Sequence, residues 1–163
     1  MQYLRSATLA LGLLSSIATS LSFAQSLDAR LQGCATCHGV DGNSALPNIP
    51  SLAGQPRVFL ENQMVVIREG LREIPAMKGQ LEGVNDATII AMAKFYASQN
   101  VKSSPAQKNQ VLYEKGQVIS KEALCGTCHL PNYVGRDQIP RIAGQREDYL
   151  LYSMRQFRSN QAT

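Results

Sequence analysis

The chain of 163 residues has no tryptophan, only two histidines and four cysteines, and few aromatic side chains, 6% of the total. Any metal chemistry must therefore be built from His38, His129, the four cysteines and whatever carboxylates or methionines help. Charged residues are 17% and hydrophobic ones 44%, which excludes wholesale disorder, a collagen-like chain and a coiled coil. Long apolar runs are missing too. The longest lies at the extreme N-terminus and is broken by Ser and Thr, so a polytopic membrane protein is excluded. The length suits one domain or two small ones.

The first 24 residues read as an address. Arg5 gives a short basic start, residues 7–18 are apolar, and Ser22-Phe23-Ala24 offers small residues at the two positions a signal peptidase reads. Cleavage is expected after Ala24, with export to the periplasm; the other reading is an uncleaved N-terminal anchor. No twin arginine precedes the run and no cysteine follows it to take a lipid.

In an oxidising compartment four cysteines default to two disulfides. Their spacing argues otherwise. Cys34-Ala35-Thr36-Cys37-His38 and Cys125-Gly126-Thr127-Cys128-His129 are both C-x-x-C-H, and together they use every Cys and every His in the chain. A disulfide has no need of a following His. A zinc site needs four converging ligands, whereas adjacent Cys and His diverge on a helical turn. A redox-active C-x-x-C expects a βαβ setting, which this sequence lacks. Covalent haem attachment accounts for all five positions: two thiols one helical turn apart add to the two vinyl groups of a porphyrin edge, and the next imidazole ligates the iron from the proximal side. Two c-type haems are expected.

The chain is also an internal repeat. Ile49-Pro50-Ser51-Leu52-Ala53-Gly54-Gln55 recurs as Ile139-Pro140-Arg141-Ile142-Ala143-Gly144-Gln145, offset by 90 residues, against 91 at the cysteine motifs. The same register pairs Phe59 with Tyr149, Leu60 with Leu150, Met64 with Met154 and Arg68 with Arg158. Residues 99–109 are polar, contain Ser103-Ser104-Pro105, and read as a linker between domains at 25–98 and 110–163. Secondary structure is expected to be all-α. Asn85 should cap a helix whose Ile89, Met92, Ala93 and Tyr96 share one face. Further helices are expected over 57–69 and 147–158, and leading into each cysteine motif from Ser26 and from about Gln110. Units this small bury little apolar surface, so a covalent haem would serve as part of the core.

Taken together, these residues resemble the tandem di-haem class I cytochromes c of the c-four kind, found in bacterial periplasms. The resemblance runs over nearly all of the mature chain: C-x-x-C-H-G, the Pro-x-Leu-Ala-Gly-Gln run, a helix, a Met, a closing helix, then a second copy. It implies two tandem cytochrome c domains, thioether bonds at Cys34, Cys37, Cys125 and Cys128, and proximal ligation by His38 and His129. It implies that the Pro50 and Pro140 carbonyls accept the ring N–H of those histidines, and that Leu52 and Ile142 pack on the haem faces. Both imidazoles being committed, Met is the remaining good sixth ligand. Met64, Met92 and Met154 lie on predicted helices and read as core packing. Met77 lies in the constrained loop Ile74-Pro75-Ala76-Met77-Lys78-Gly79, where the family places its axial Met. In the second copy the partner of Met77 would fall near position 167. The second domain thus reads as incomplete, lacking the axial-Met loop and the last helix, and a fragment of a longer reading frame is favoured over a natural truncation.

The charge is uneven: −1 over residues 25–100 and +4 over 101–163. This suits a carrier steered to two partners, or simply a solvated lysine-rich linker and helix. Lysines 102, 108, 115 and 121 are interleaved by a single aromatic, Tyr113, and in an exported protein nucleic acid is set aside as a partner. The expected function is single-electron transfer, with a quinol–cytochrome c reductase as donor and a haem-copper terminal oxidase as acceptor by the resemblance. The alternatives are a di-haem enzyme, such as a peroxidase or an oxidase of sulfur compounds, and a cytochrome subunit of a dehydrogenase. No added acid–base group marks a distal pocket for such chemistry.

Overall fold

The computed structural model describes residues 26–102 and 108–159. The expected signal segment and its cleavage site lie outside the described residues. Among those described the chain is all-α, its one extended pairing being an isolated bridge between Arg136 and Ile139.

In the first repeat, helix α1 (Leu27–His38) starts where the Ser26 hydroxyl accepts the Ala29 N–H and ends at Gly39, whose φ of 81° no helix can continue. Helix α2 (Arg57–Arg68) follows Pro56, and a 3₁₀ turn (Pro75–Met77) leads to α3 (Asp86–Ala97). The Asn85 side chain caps α3 by accepting the Thr88 N–H at 2.8 Å. The face of α3 expected to be apolar is the buried one: Ile89, Met92, Ala93 and Tyr96. It packs on α2 and also touches α1. Leu81 and Val84 extend this core, with Leu31, Met64 and Met77 packed against it. Arg68 ties the end of α2 to the start of α3, donating to the Val84 carbonyl and the Asp86 carboxylate, both at 2.8 Å.

The second repeat contains α4 (Gln110–Glu122), α5 (Cys125–His129) and α6 (Glu147–Arg158). Here the entry helix is split. Leu124 takes a left-handed φ of 56° and separates α4 from the cysteine motif. The cause is visible one turn earlier. Leu31 of α1 packs beneath α3, whereas its repeat counterpart Glu122 is charged and exposed, so among the described residues the apolar contact that keeps α1 in line with its motif has no equivalent for α4. No counterpart of α3 follows α6 among the described residues. The buried hydrophobic residues accordingly lie in the first repeat, and Val111, Ile119, Leu151 and Phe157 are exposed in the second. Met154, expected in the core, is 60% exposed. Its partner Met64 is covered by the α3 cluster, and among the described residues α6 has no such cover.

The two repeats dock through their matching motifs. The Gln145 side chain donates to the Ser51 carbonyl at 2.9 Å and accepts the Ser51 N–H at 2.8 Å. Reciprocally, Gln55 donates to the Arg141 carbonyl at 2.8 Å and accepts the Arg141 N–H at 2.9 Å. Ser51 and Arg141 are themselves repeat partners, so the junction has near two-fold symmetry. Val101 sits on the axis between Gly54 and Gly144, where a Cβ on either glycine would come within 2.5–2.6 Å of its methyls. The start of the polar segment is pinned rather than free. Asn43 donates to the Asn100 carbonyl and accepts the Lys102 N–H, both at 2.9 Å, and Lys102 pairs with Asp41 at 2.5 Å.

Candidate haem-binding sites

Each C-x-x-C-H sequence closes a helix and is followed by a residue of positive φ, which turns the chain back under the imidazole. In the first repeat that residue is Gly39 and in the second it is Leu130, with φ 69° and ψ 157°. The returning loop is braced in the first repeat by Ser44, whose hydroxyl donates to the Cys37 carbonyl at 3.0 Å. Its backbone N–H donates to the Ser51 hydroxyl at 3.1 Å. The Gly42 carbonyl accepts the N–H groups of both Leu52 and Ala53. Tyr133 does the same for Ile142 and Ala143 in the second repeat, although the loop there is one residue shorter.

Those returns bring each proline to its histidine. His38 Nδ1 lies 2.9 Å from the Pro50 carbonyl oxygen, and His129 Nδ1 lies 2.8 Å from that of Pro140. A carbonyl can only accept, so each Nδ1 carries a proton, and in the neutral ring the lone pair falls on Nε2. His38 is 8% exposed, and burial lowers its pKa below the ordinary value, the Pro50 bond opposing the shift. Burial thus favours the neutral ring, the form a metal ligand requires.

Cys34 and Cys37 lie one helical turn apart on the same stretch of α1, Cys34 half-buried and Cys37 exposed; Cys125 and Cys128 repeat this on α5. None is in a disulfide. Burial pushes the Cys34 thiol up, with the Tyr96 hydroxyl beside it. That hydroxyl is itself buried without a conventional hydrogen bond, and its pKa is raised by the same burial. Among the described residues no three His, Cys, Asp or Glu side chains converge to hold a bare metal ion. The donor set is instead two thiols one helical turn apart and, in the neutral ring, one Nε2 lone pair per repeat, which fits a covalently attached haem.

Met77 ends the 3₁₀ turn, its N–H on the Ile74 carbonyl at 2.8 Å, and is half-buried against Leu81, Val84, Ile89 and Met92. Met64 is half-buried in the same core and Met92 is 1% exposed within it. Leu52 packs beside Leu60, Ala93 and Tyr96. Sequence reasoning gave no role to Gln55 and Gln145; the signal was their recurrence at the end of the Pro-x-Leu/Ile-Ala-Gly-Gln run.

Residues 29–95 match the family described as cytochrome c oxidase, cbb3-type, subunit III. The chain is 34% identical over 137 residues to a cytochrome c4 of Pseudomonas aeruginosa, covering 80% of this chain and 68% of the relative. It superposes on the reduced recombinant cytochrome c4 of Pseudomonas stutzeri with a TM-score of 0.74 at 30% identity, over 86% of this chain and 84% of the other. It also superposes on a thiosulfate dehydrogenase from Marichromatium purpuratum with a TM-score of 0.68 at 27% identity, over 79% of this chain but 30% of that one. With paired C-x-x-C-H sites, proline-held imidazoles and these relatives, the chain belongs to the cytochrome c4 family of di-haem c-type electron-transfer proteins.

Proposed function

We propose that the protein is a periplasmic electron carrier, exported by its first 24 residues, in which two domains at 25–98 and 110–163 each hold one haem. In this reading Cys34 and Cys37, and Cys125 and Cys128, form the thioethers, His38 and His129 are the proximal ligands, and Met77 is the distal ligand of the first haem. A bound haem supplies reversible one-electron exchange at its iron. The chain's own residues supply the rest. Pro50 and Pro140 fix the tautomer and orientation of each imidazole and increase its donor strength. A Met77 thioether would raise the first potential relative to a weaker ligand. The observation that carries the reading is the duplication of one rigid imidazole–carbonyl geometry, at 2.9 and 2.8 Å, in two docked repeats. Such a scaffold needs little reorganisation when an electron arrives.

The partners we propose are a quinol–cytochrome c reductase as donor and a haem-copper terminal oxidase as acceptor, approached through the unlike charges of the two halves, −1 and +4. A second reading, a cytochrome subunit docked to a dehydrogenase, draws on the thiosulfate dehydrogenase neighbour, of which this chain matches only a part. Haem quantified per chain with a reduced-minus-oxidised spectrum, followed by stopped-flow exchange with each partner, tests the proposal. Two haems per chain and salt-dependent transfer are expected. Peroxide turnover well above that of free haem would overturn it in favour of an enzyme.

A further inference from the structure

The two docking glutamines touch the same peptide groups that hold the histidines. The carbonyl of the Pro50–Ser51 peptide is the partner of His38 Nδ1, at 2.9 Å, while the N–H of that same peptide donates to Gln145 Oε1 of the other repeat, at 2.8 Å. The Pro140–Arg141 peptide does likewise, with His129 Nδ1 at 2.8 Å on its carbonyl and Gln55 Oε1 at 2.9 Å on its N–H. Each imidazole is thus joined through one resonant amide to a side chain of the opposite repeat. Ser51 and Gln55 are 8% and 5% exposed, and Arg141 and Gln145 opposite them are half-buried.

We propose that Gln145 and Gln55 are crossed positioning residues: each sets the donor strength of the histidine in the other repeat, and through it that repeat's reduction potential. The inference rests on His38 and His129 being proximal ligands. An acceptor on a peptide N–H drives electron density toward its carbonyl oxygen, and chained hydrogen bonds polarise one another by about 10–30% per bond. A more negative oxygen draws the Nδ1 proton harder, makes Nε2 a stronger donor and stabilises the oxidised iron. Loss of the glutamine oxygen therefore raises the potential across the junction. The arrangement also makes both potentials sensitive to how tightly the repeats are docked.

The experiment compares Gln145→Met and Gln55→Met in the full two-haem protein. Potentials are measured by spectroelectrochemistry, with each haem assigned by NMR from the shifted Nδ1 proton of its own histidine. Gln145→Met should raise the first haem's potential by a two- to fivefold change in the one-electron equilibrium constant, about 20–40 mV at 59 mV per decade. The second haem should move far less, and Gln55→Met should give the mirror pattern. Should a Met variant fail to fold, the Ala variant, which admits a water, should give a smaller shift of the same sign. Equal shifts in both haems, a shift confined to the mutated repeat, or none would overturn the crossed link. Failure of the ligand assignment is separable, because the unmutated protein would then show no histidine signals at the irons.

Discussion

Replacing Gly39 with alanine should destabilise the first repeat by about 3 kcal/mol while leaving the haem motif chemically intact. Gly39 holds φ 81° and ψ 152°, a region used almost only by glycine, which costs another residue about 1–3 kcal/mol. Alanine recovers about 0.4–1 kcal/mol by restricting the unfolded chain. Against that, the new Cβ would fall on the carbonyl oxygen of Asn43 and 3.1 Å from its carbonyl carbon, backbone atoms that cannot swing aside. Asn43 would have to move, and its side chain holds both Asn100 and Lys102. Two such bonds are worth about 1 kcal/mol each, which gives a net loss near 3 kcal/mol. For a domain of this size that is a fall in Tm of about 15 °C. Scanning calorimetry of the holoprotein should show the loss in the first-repeat transition. Leu130 provides the control, since it holds nearly the same angles with a side chain present. Leu130→Gly relieves the backbone but forfeits about 1 kcal/mol of packing, so the second transition should rise by a few degrees at most. A fall below about 4 °C for Gly39→Ala would refute the reasoning and show that the loop yields to a methyl group.

Met77→Ala should leave the first haem covalently attached but without its sulfur ligand, lowering that potential and admitting CO. Persistence of the sulfur-to-iron charge-transfer band would transfer the role to Met64. Acid should loosen the junction between repeats before either haem unit unfolds. The Arg146 guanidinium holds Asp148 down at about 2, and Lys102 does the same for Asp41. Because both folded values lie below the ordinary carboxylate value near 4, the contribution is complete above pH 4 and is lost as pH falls from 4 through 2. Asp148 accepts the Asn48 N–H across the junction, so the Asn48 amide, measured against its intrinsic exchange rate at each pH, should lose protection over that window, and an Asp148→Asn variant that keeps the same profile would refute the assignment. Finally, α4 and α6, with their exposed Val111, Ile119, Leu151 and Phe157, should lose hydrogen-exchange protection before α2 and α3. Equal protection in the two repeats would contradict this.

Whatever depends on neighbours along the chain is legible in the residues alone. The cysteine–histidine motifs are legible because attachment chemistry needs its thiols and imidazole within five residues. The closing helix was readable from Asn85 as a cap and from the spacing of Ile89, Met92, Ala93 and Tyr96, and α6 begins and ends where its pattern does. The repeat announced two equivalent units. How those units meet is set by contacts between residues far apart in the chain. Gln55 and Gln145 find partners 86 and 94 residues away, and no local spacing records which peptide a side-chain amide will face after two surfaces dock. The break at Leu124 and the exposure of Met154 have the same origin: a helix keeps its line, and a methionine its cover, only where something apolar packs against it. In the first repeat α3 does this for Leu31 and Met64; the second repeat, which repeats the motif, does not repeat that support among its described residues.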